Sequence, residues 1–278
     1  MYDYILSRIL KHKEKQMVYF FVDIEATGVD LENDRIIQIA LIRKEGNEIT
    51  ALSDLCFTDQ KMSYAAMAVH HITPEMIKDG YWPYETDTFR ALEKENDASN
   101  YFITHGNELD LAMLENEELE IKMKCIDTDK CSRHLLKDAE NYKLQTLRYQ
   151  YGLYKIEKQR AEELGIGEVR AHDALSDVLW HYLLFEFLLE KVEGDADKLV
   201  HLTQTPILLE KITFGKYKNK NLTFEELFAT DPGDFVWMYN HIARDWSDLE
   251  HTVEYWLKTN PRYWKEALEG RKRVMWNE

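Results

Sequence analysis

The run Phe21-Val22-Asp23-Ile24-Glu25-Ala26-Thr27-Gly28 places two carboxylates two residues apart at the end of an apolar stretch. Side chains alternate along a strand, so Asp23 and Glu25 fall on one face with Cα atoms about 6.6 Å apart. Burying two like charges is costly unless something positive lies between them, and a divalent cation meets that need. With 51 acidic residues in the chain, a D-x-E also arises by chance, and a strand end in water is the equal alternative. A second group is Thr104-His105-Gly106-Asn107-Glu108-Leu109-Asp110, which leaves a short apolar strand and enters a helical pattern. The C-terminal ends of sheet strands are where α/β proteins collect their sites. The third group is His172-Asp173-Ala174-Leu175-Ser176-Asp177. Five residues turn a helix by about 500°, which leaves two helical positions about 140° apart. His172 and Asp177 therefore converge only if His172 lies in the loop and Asp177 in the first turns of the helix. Asp173 then serves as an N-cap, a structural role.

The surrounding elements must bring these groups together. Strands are expected at residues 17–25, 35–43 and 49–57, a three-strand meander, then at 101–105 and 125–128. Helical patterns occupy residues 73–78, 86–96, 109–117, 129–138 and 143–151. A helix from about residue 173 to 189 is apolar almost all round and therefore buried. Residues 155–171 are charged, contain Gly165 and Gly167, and read as a mobile connection. Residues 2–15 have the spacing of a short amphipathic helix. Strands first, then alternating strands and helices, describe an α/β sheet covered on both faces.

Charge excludes one class of function. The net charge of −16 is uneven: residues 1–200 hold 24 Lys/Arg against 39 Asp/Glu, and residues 201–278 hold 11 against 12. Such a body cannot coat nucleic acid with a basic surface. It can still act on nucleic acid, because bound cations invert the local field. Three cysteines, Cys56, Cys125 and Cys131, give neither a disulfide framework nor a zinc knuckle. The N-terminus has the wrong charge order for a signal peptide, and residues 178–189 are too short to span a bilayer. A cytoplasmic protein without a membrane partner is expected.

D-I-E-A-T-G, H-x-x-x-x-D and H-D-A-L-S-D, in that order, resemble the three motifs of the DEDDh (DnaQ-like) 3′–5′ exonucleases, which have a ribonuclease H-like fold. Ala66-Met-Ala-Val-His70-His71-Ile-Thr-Pro-Glu75, Cys125-Ile-Asp-Thr and Asn141-Tyr-Lys-Leu-Gln-Thr-Leu-Arg148 sit where that family has similar stretches. The resemblance covers residues 17–192 and is nearest to the exodeoxyribonuclease X-like members, whose C-terminal module also has a turn like Phe214-Gly-Lys-Tyr-Lys218. It implies a mixed five-stranded sheet with helices on both faces and a small α+β C-terminal domain. It also implies that Asp23, Glu25, Asp110 and Asp177 hold two Mg²⁺ or Mn²⁺ ions, with His172 as general base. Hard oxygen ligands suit those metals, and an imidazole near its ordinary pKa can accept a proton at neutral pH. Thr27, Gly28, His71, His105 and Asn107 are expected to contact the substrate. Motif two departs from the family, since Gly106 follows His105, Asn107 is shifted by one and Leu109 replaces an aromatic.

The implied organisation is an N-terminal extension (1–16), an exonuclease domain (17–192), a linker (193–206), a C-terminal module (207–259) and a basic-ended tail (260–278). Residues 212–214 read as a strand, Thr223-x-x-Glu226 and Ser247-x-x-Glu250 as capping boxes, and Asp231-Pro232 as a helix start. Lys216, Lys218 and Lys220 alternate, so an extended segment would point all three the same way and could hold phosphates, as could Arg271 and Arg273; a solvated turn and tail is the alternative. Phe224, Phe228, Phe235, Trp237, Tyr239 and Trp246 are expected to form a small core rather than a stacking platform. The resulting reading is a metal-dependent exonuclease that removes nucleoside monophosphates from DNA 3′ ends in repair or proofreading. The rivals are an RNA exonuclease and a non-catalytic module that binds nucleic acid or a replication or repair protein.

Overall fold

A computed structural model describes residues 16–106, 108–170 and 173–275. The helix expected at 2–15, Asn107 and His172 lie outside the described residues. The chain divides into two compact units, one through Thr203 and the other from Gln204 onward.

The first unit is built on five strands: β1 (Val18–Ala26), β2 (Ile36–Glu45), β3 (Glu48–Leu55), β4 (Tyr101–Thr104) and β5 (Lys124–Asp127). Their order is β3-β2-β1-β4-β5, with β1, β2 and β3 antiparallel and β1, β4 and β5 parallel. β1 is central because its residues are apolar on both faces. Val18, Phe20, Val22, Ile24 and Ala26 point into a core completed by α3 (Asp87–Lys94) and α4 (Glu108–Asn116). Phe21 points the other way, against α8 (Ala174–Lys191), where its ring meets Tyr182 and Phe185 at 5.1 Å each, edge to face. Helices therefore cover both faces, as the alternating pattern requires.

A register shift between Glu25 and Ala26 pairs Glu25 with Gln38 but Ala26 with Ile36. The extra residue, Ile37, is buried with Met62, Ile72 and Ile77. That small cluster anchors α1 (Tyr64–His70) and α2 (Pro74–Ile77) beside the end of β1. Residues 155–171 are less irregular than expected: α6 (Leu144–Gln150) is followed by α7 (Glu157–Glu163). Glu157 accepts from Arg148 at 2.5 and 2.6 Å and from the Trp180 indole at 2.9 Å, so it ties α7 to α6 and α8. Residues 193–206, read as a linker, are mostly helix. In α9 (Ala196–Gln204) Leu199 is fully buried, and the Thr203 hydroxyl accepts the Asp127 N–H at 2.9 Å. Asp127 also caps α5 (Thr128–Leu135).

The second unit comprises α10 (Phe224–Thr230), α11 (Pro232–His241), α12 (Ser247–Lys258) and α13 (Pro261–Met275). The strand expected at 212–214 does not form; the Lys211–Thr223 bridge takes its place. The capping box at Thr223 and Glu226 forms, whereas Trp246, not Ser247, occupies the N-cap of α12. The expected tail is helix α13, whose Arg271 pairs with Glu250 at 2.6 Å and lies over the Tyr239 ring. Arg271 is therefore engaged rather than free for phosphate.

Arg148 and Glu157 are both largely buried, and removing one partner leaves a charge uncompensated, which costs about 3–5 kcal/mol. Glu157→Ala should lower stability by about that amount in urea denaturation, and a loss below about 1 kcal/mol would show that the pair does not hold α7 in place.

Candidate active site

Asp23 and Glu25 continue the Phe21 face of β1 and so meet α8. The start of that helix is fixed by Asp173, whose carboxylate accepts from the Ser176 N–H at 3.1 Å and its hydroxyl at 2.7 Å. Asp177 therefore falls in the first turn. One oxygen each from Asp23, Glu25 and Asp177 lies within 4.8 Å of the others, in a partly buried group. Asp110, from the first turn of α4, is buried next to it, and the backbone N–H of Ile24 favours its ionised form. That N–H is available because the β1–β4 pairing ends at Phe21 and Ile103.

The electrostatics are those of crowded like charges. Burial pushes the Asp23 carboxyl well above its ordinary range, and Asp110, Asp177, Glu25 and Asp173 push it further. Glu25 rises to about 7, from burial first and then from Asp177 and Asp173. Burial also raises Asp110, against the pull of the backbone N–H groups. His181 brings no relief. Its Nε2 is 3.9 Å from Asp23, but burial and the neighbouring His105 lower its pKa to about 3, so the ring is neutral. Clustered oxygens that resist ionisation fit a hard divalent cation, which would remove the cause of the shifts.

The other residues singled out in the sequence divide clearly. Thr27 is fully buried, and its hydroxyl donates to Asp34 at 2.6 Å and accepts from the Arg35 N–H at 3.1 Å. Gly28 packs so tightly on Asp34 that a Cβ would collide with its carboxylate. Both residues close the loop after β1, and the Thr27 hydroxyl is not free for a substrate. His105 is likewise occupied, with one ring nitrogen on Tyr142 O at 2.9 Å and the other on the Thr128 hydroxyl at 3.0 Å. It braces β4, and neither ring nitrogen is free for a substrate hydrogen bond. His71 keeps an accessible position. It ends α1 at φ 60° and lines a cleft of about 420 Å³ with Gln38, His70, Arg170 and Asp173.

The lysine expectation changes most. Gly215–Tyr217 is a 3-10 turn, so the three lysines do not alternate on one face. Lys216 is paired with Asp234 at 2.7 Å, and Lys216 and Lys220 both lie near the Tyr217 ring, at 4.9 and 5.2 Å. Sequence reasoning missed His181, although its i+4 spacing from Asp177 on one helix face was the available signal. His70, part of the Ala66–Glu75 stretch singled out in the sequence, is buried with Nδ1 accepting the Ile72 N–H at 3.0 Å.

The family model for RNase T, described as Exonuclease, matches residues 20–185. The chain belongs to the RNase T/DnaQ-like exonuclease family. This exonuclease is 24% identical over 238 residues to exodeoxyribonuclease 10 of Escherichia coli (strain K12), covering 85% of the chain and 97% of that protein. It is 28% identical over 243 residues to a PolC-type DNA polymerase III of Caldanaerobacter subterraneus subsp. tengcongensis, covering 85% of the chain and 16% of the polymerase. Exonuclease X in complex with 5′ overhanging duplex DNA superposes with a TM-score of 0.50 at 21% identity, over 66% of this chain and 99% of that one. Exonuclease I of E. coli with a dT13 oligonucleotide gives 0.51 at 16%, over 74% and 51%. These superpositions establish the ribonuclease H-like fold. Among the described residues no helix is long and apolar enough to cross a membrane.

The raised carboxylates set a pH dependence for the metal-free exonuclease. Unfolded Glu25 ionises near 4.5, whereas the folded protein holds its proton to about 7. Stability present below pH 4.5 is therefore lost as pH rises to about 7, by up to about 3 kcal/mol, and is level above that. Denaturant titrations in EDTA across this window should show the decline in wild type and a weaker one in Glu25→Gln. Equal slopes in the two proteins would show that Glu25 is not under this strain.

Proposed function

We propose that this protein is a divalent-metal-dependent 3′–5′ exonuclease acting on DNA ends and releasing nucleoside monophosphates. The observation that carries the reading is the convergence of Asp23, Glu25 and Asp177 oxygens within 4.8 Å at the end of the central strand. Asp23, Glu25, Asp110 and Asp177 would hold Mg²⁺ or Mn²⁺, which when bound supplies Lewis acidity to the scissile phosphate and the leaving oxygen. The carboxylates supply the balancing negative charge and fix where the cations sit. His172, immediately before the Asp173 cap, takes the proton from the attacking water. His71, accessible in the cleft that Asp173 also lines, contacts the terminal nucleotide. The names of the relatives above favour DNA as the substrate. The exonuclease domain spans residues 17–192, and the C-terminal module gives a second hold on nucleic acid.

Incubating the full chain with 3′-labelled single-stranded DNA, duplex DNA and RNA, with Mg²⁺ and with EDTA, tests this reading. Mononucleotide release from DNA in Mg²⁺ alone is the expected result, and faster release from RNA would move the assignment to RNA. Asp23→Ala, Glu25→Ala, Asp110→Ala and Asp177→Ala should each abolish most turnover and keep the fold. Near-wild-type rates in two of the four would sink the metal assignment. Mn²⁺ at about 100 times its Kd should stabilise the wild type by about 2.7 kcal/mol, and the Asp23→Ala variant by much less.

His172→Asn should slow turnover by a factor on the order of 10² to 10⁴, the scale of general-base catalysis, while metal-induced stabilisation stays near wild type. The rate should rise with pH through the histidine's titration in wild type only. An unchanged pH profile in the variant would remove His172 from the mechanism.

A further inference from the structure

The aromatic residues of the second unit do not all enter its core. Phe224, Phe235 and Tyr239 are buried, but Trp237 on α11 remains 53% exposed. Leaving so much of the largest aromatic side chain in water forgoes apolar burial that the neighbouring Met238, 2% exposed, achieves. The reason is local. Trp237 stands on the wall of a cavity of about 620 Å³, with Phe214, Met238 and Ile242 as its other apolar walls. Lys216 and Asp234, paired at 2.7 Å, supply a polar edge. Gly215 opens one side: its φ is +56°, and nothing lies within 4 Å of where a Cβ would stand. An apolar cleft of this size with a few convergent polar groups is the usual form of a small-ligand site.

Charge indicates which aromatic ligand fits. Three lysines fall within the five residues 216–220, on a unit with 11 Lys/Arg against 12 Asp/Glu; residues 1–203 hold 24 against 39. Lys216 is spent on Asp234. Among the described residues, no carboxylate pairs with Lys218 or Lys220, and both are exposed. Lys220 lies 5.2 Å from the ring of Tyr217, which itself lines the cavity. An apolar cavity whose lining turn continues into two lysines that pair with no carboxylate among the described residues matches a base attached to its phosphate. An apolar peptide side chain would fill the cavity but leave the lysines without a counterpart.

We propose that this cavity is a nucleobase site: an unpaired base of a nucleic acid strand stacks on Trp237, and Lys218 and Lys220 hold the adjacent phosphates. The inference rests on the reading of the chain as a nucleic-acid enzyme and adds a second, non-catalytic grip on the strand. Stacking on an aromatic ring accepts any base, so the site retains a strand without reading its sequence. The Asp234 carboxylate, held by Lys216 and the Tyr217 hydroxyl, presents an acceptor to the edge of the base.

The test is equilibrium binding of the full chain in EDTA to a labelled oligothymidylate and to an abasic strand of equal length. Trp237→Ala should weaken binding of oligothymidylate about tenfold or more, the scale of one lost base–aromatic stack. Binding of the abasic strand should not change, because that strand has nothing to stack. Trp237→Phe should retain most of the affinity, and it keeps the test readable if the alanine variant loosens the unit. Both variants should keep the wild-type slope of log affinity against log salt, because no charge is removed. Equal loss on both strands would overturn the proposal, and so would no loss on either; the latter result would favour a peptide occupant. Hydrolysis in Mg²⁺ is read separately on wild type. Base-dependent loss of binding without hydrolysis would overturn only the exonuclease reading, and hydrolysis without base dependence would overturn only the cavity proposal.

Discussion

The packing of α8 onto one face of β1 is the constraint on which the rest of the structure depends. That face carries Phe21, Asp23 and Glu25 in succession, so the contact that buries Phe21 against Tyr182 and Phe185 also carries Asp177 to the other two carboxylates. The two effects oppose each other. Burial of Phe21, Leu184 and Phe185 contributes roughly 5–9 kcal/mol, and the rise of Glu25 from 4.5 to about 7 corresponds to about 3 kcal/mol of disfavoured ionisation. Packing wins, and the charges are held together whether or not a cation is present. The site is thus prepared by apolar contacts away from the carboxylates, and a bound cation would relieve a repulsion that the fold imposes.

Around this contact, polar residues hold the backbone in place more often than they face the cleft. Asp34 takes up the Thr27 hydroxyl, Gly28 packs on its carboxylate, and Asp127 accepts both the Gly106 N–H and the first amides of α5. His105 braces the end of β4 with both ring nitrogens, and His181 lies neutral behind Asp23. The register shift after Glu25 turns Ile37 into a separate small core, which seats the His70–His71 segment beside the carboxylates. With both ring nitrogens engaged, His105 has no hydrogen bond left to offer a phosphate.

The second unit follows different rules. Its helices are closed by local signals such as the Thr223–Glu226 capping box, and its core is aromatic. Its surface combines an open apolar cavity with a lysine-rich turn. Lys216 shows how a motif residue can be diverted, since Asp234 claims its charge and leaves Lys218 and Lys220 as the available cations.

Much of the catalytic unit was legible in the chain itself, because local rules and motif order decide it. Alternation put Asp23 and Glu25 on one face, N-cap chemistry at Asp173 put Asp177 in the first turn, and three spaced motifs gave the exonuclease family. What sequence could not supply were the partners of individual side chains. Nothing in Thr27 or His105 announces that Asp34, Thr128 and Tyr142 will use up their hydrogen bonds, and these partners come from seven to 37 residues away. Alternation of Lys216, Lys218 and Lys220 predicted a shared direction, but the turn at Gly215 replaced the extended chain on which that rule rests. Composition grouped Trp237 with the core aromatics, and only the closing of α11 beside Phe214 left it at a cavity. Periodicity and caps act over a few residues and are written in the sequence. Which polar group meets which, and which ring stays in water, depends on long-range packing, and the tertiary structure alone decides it.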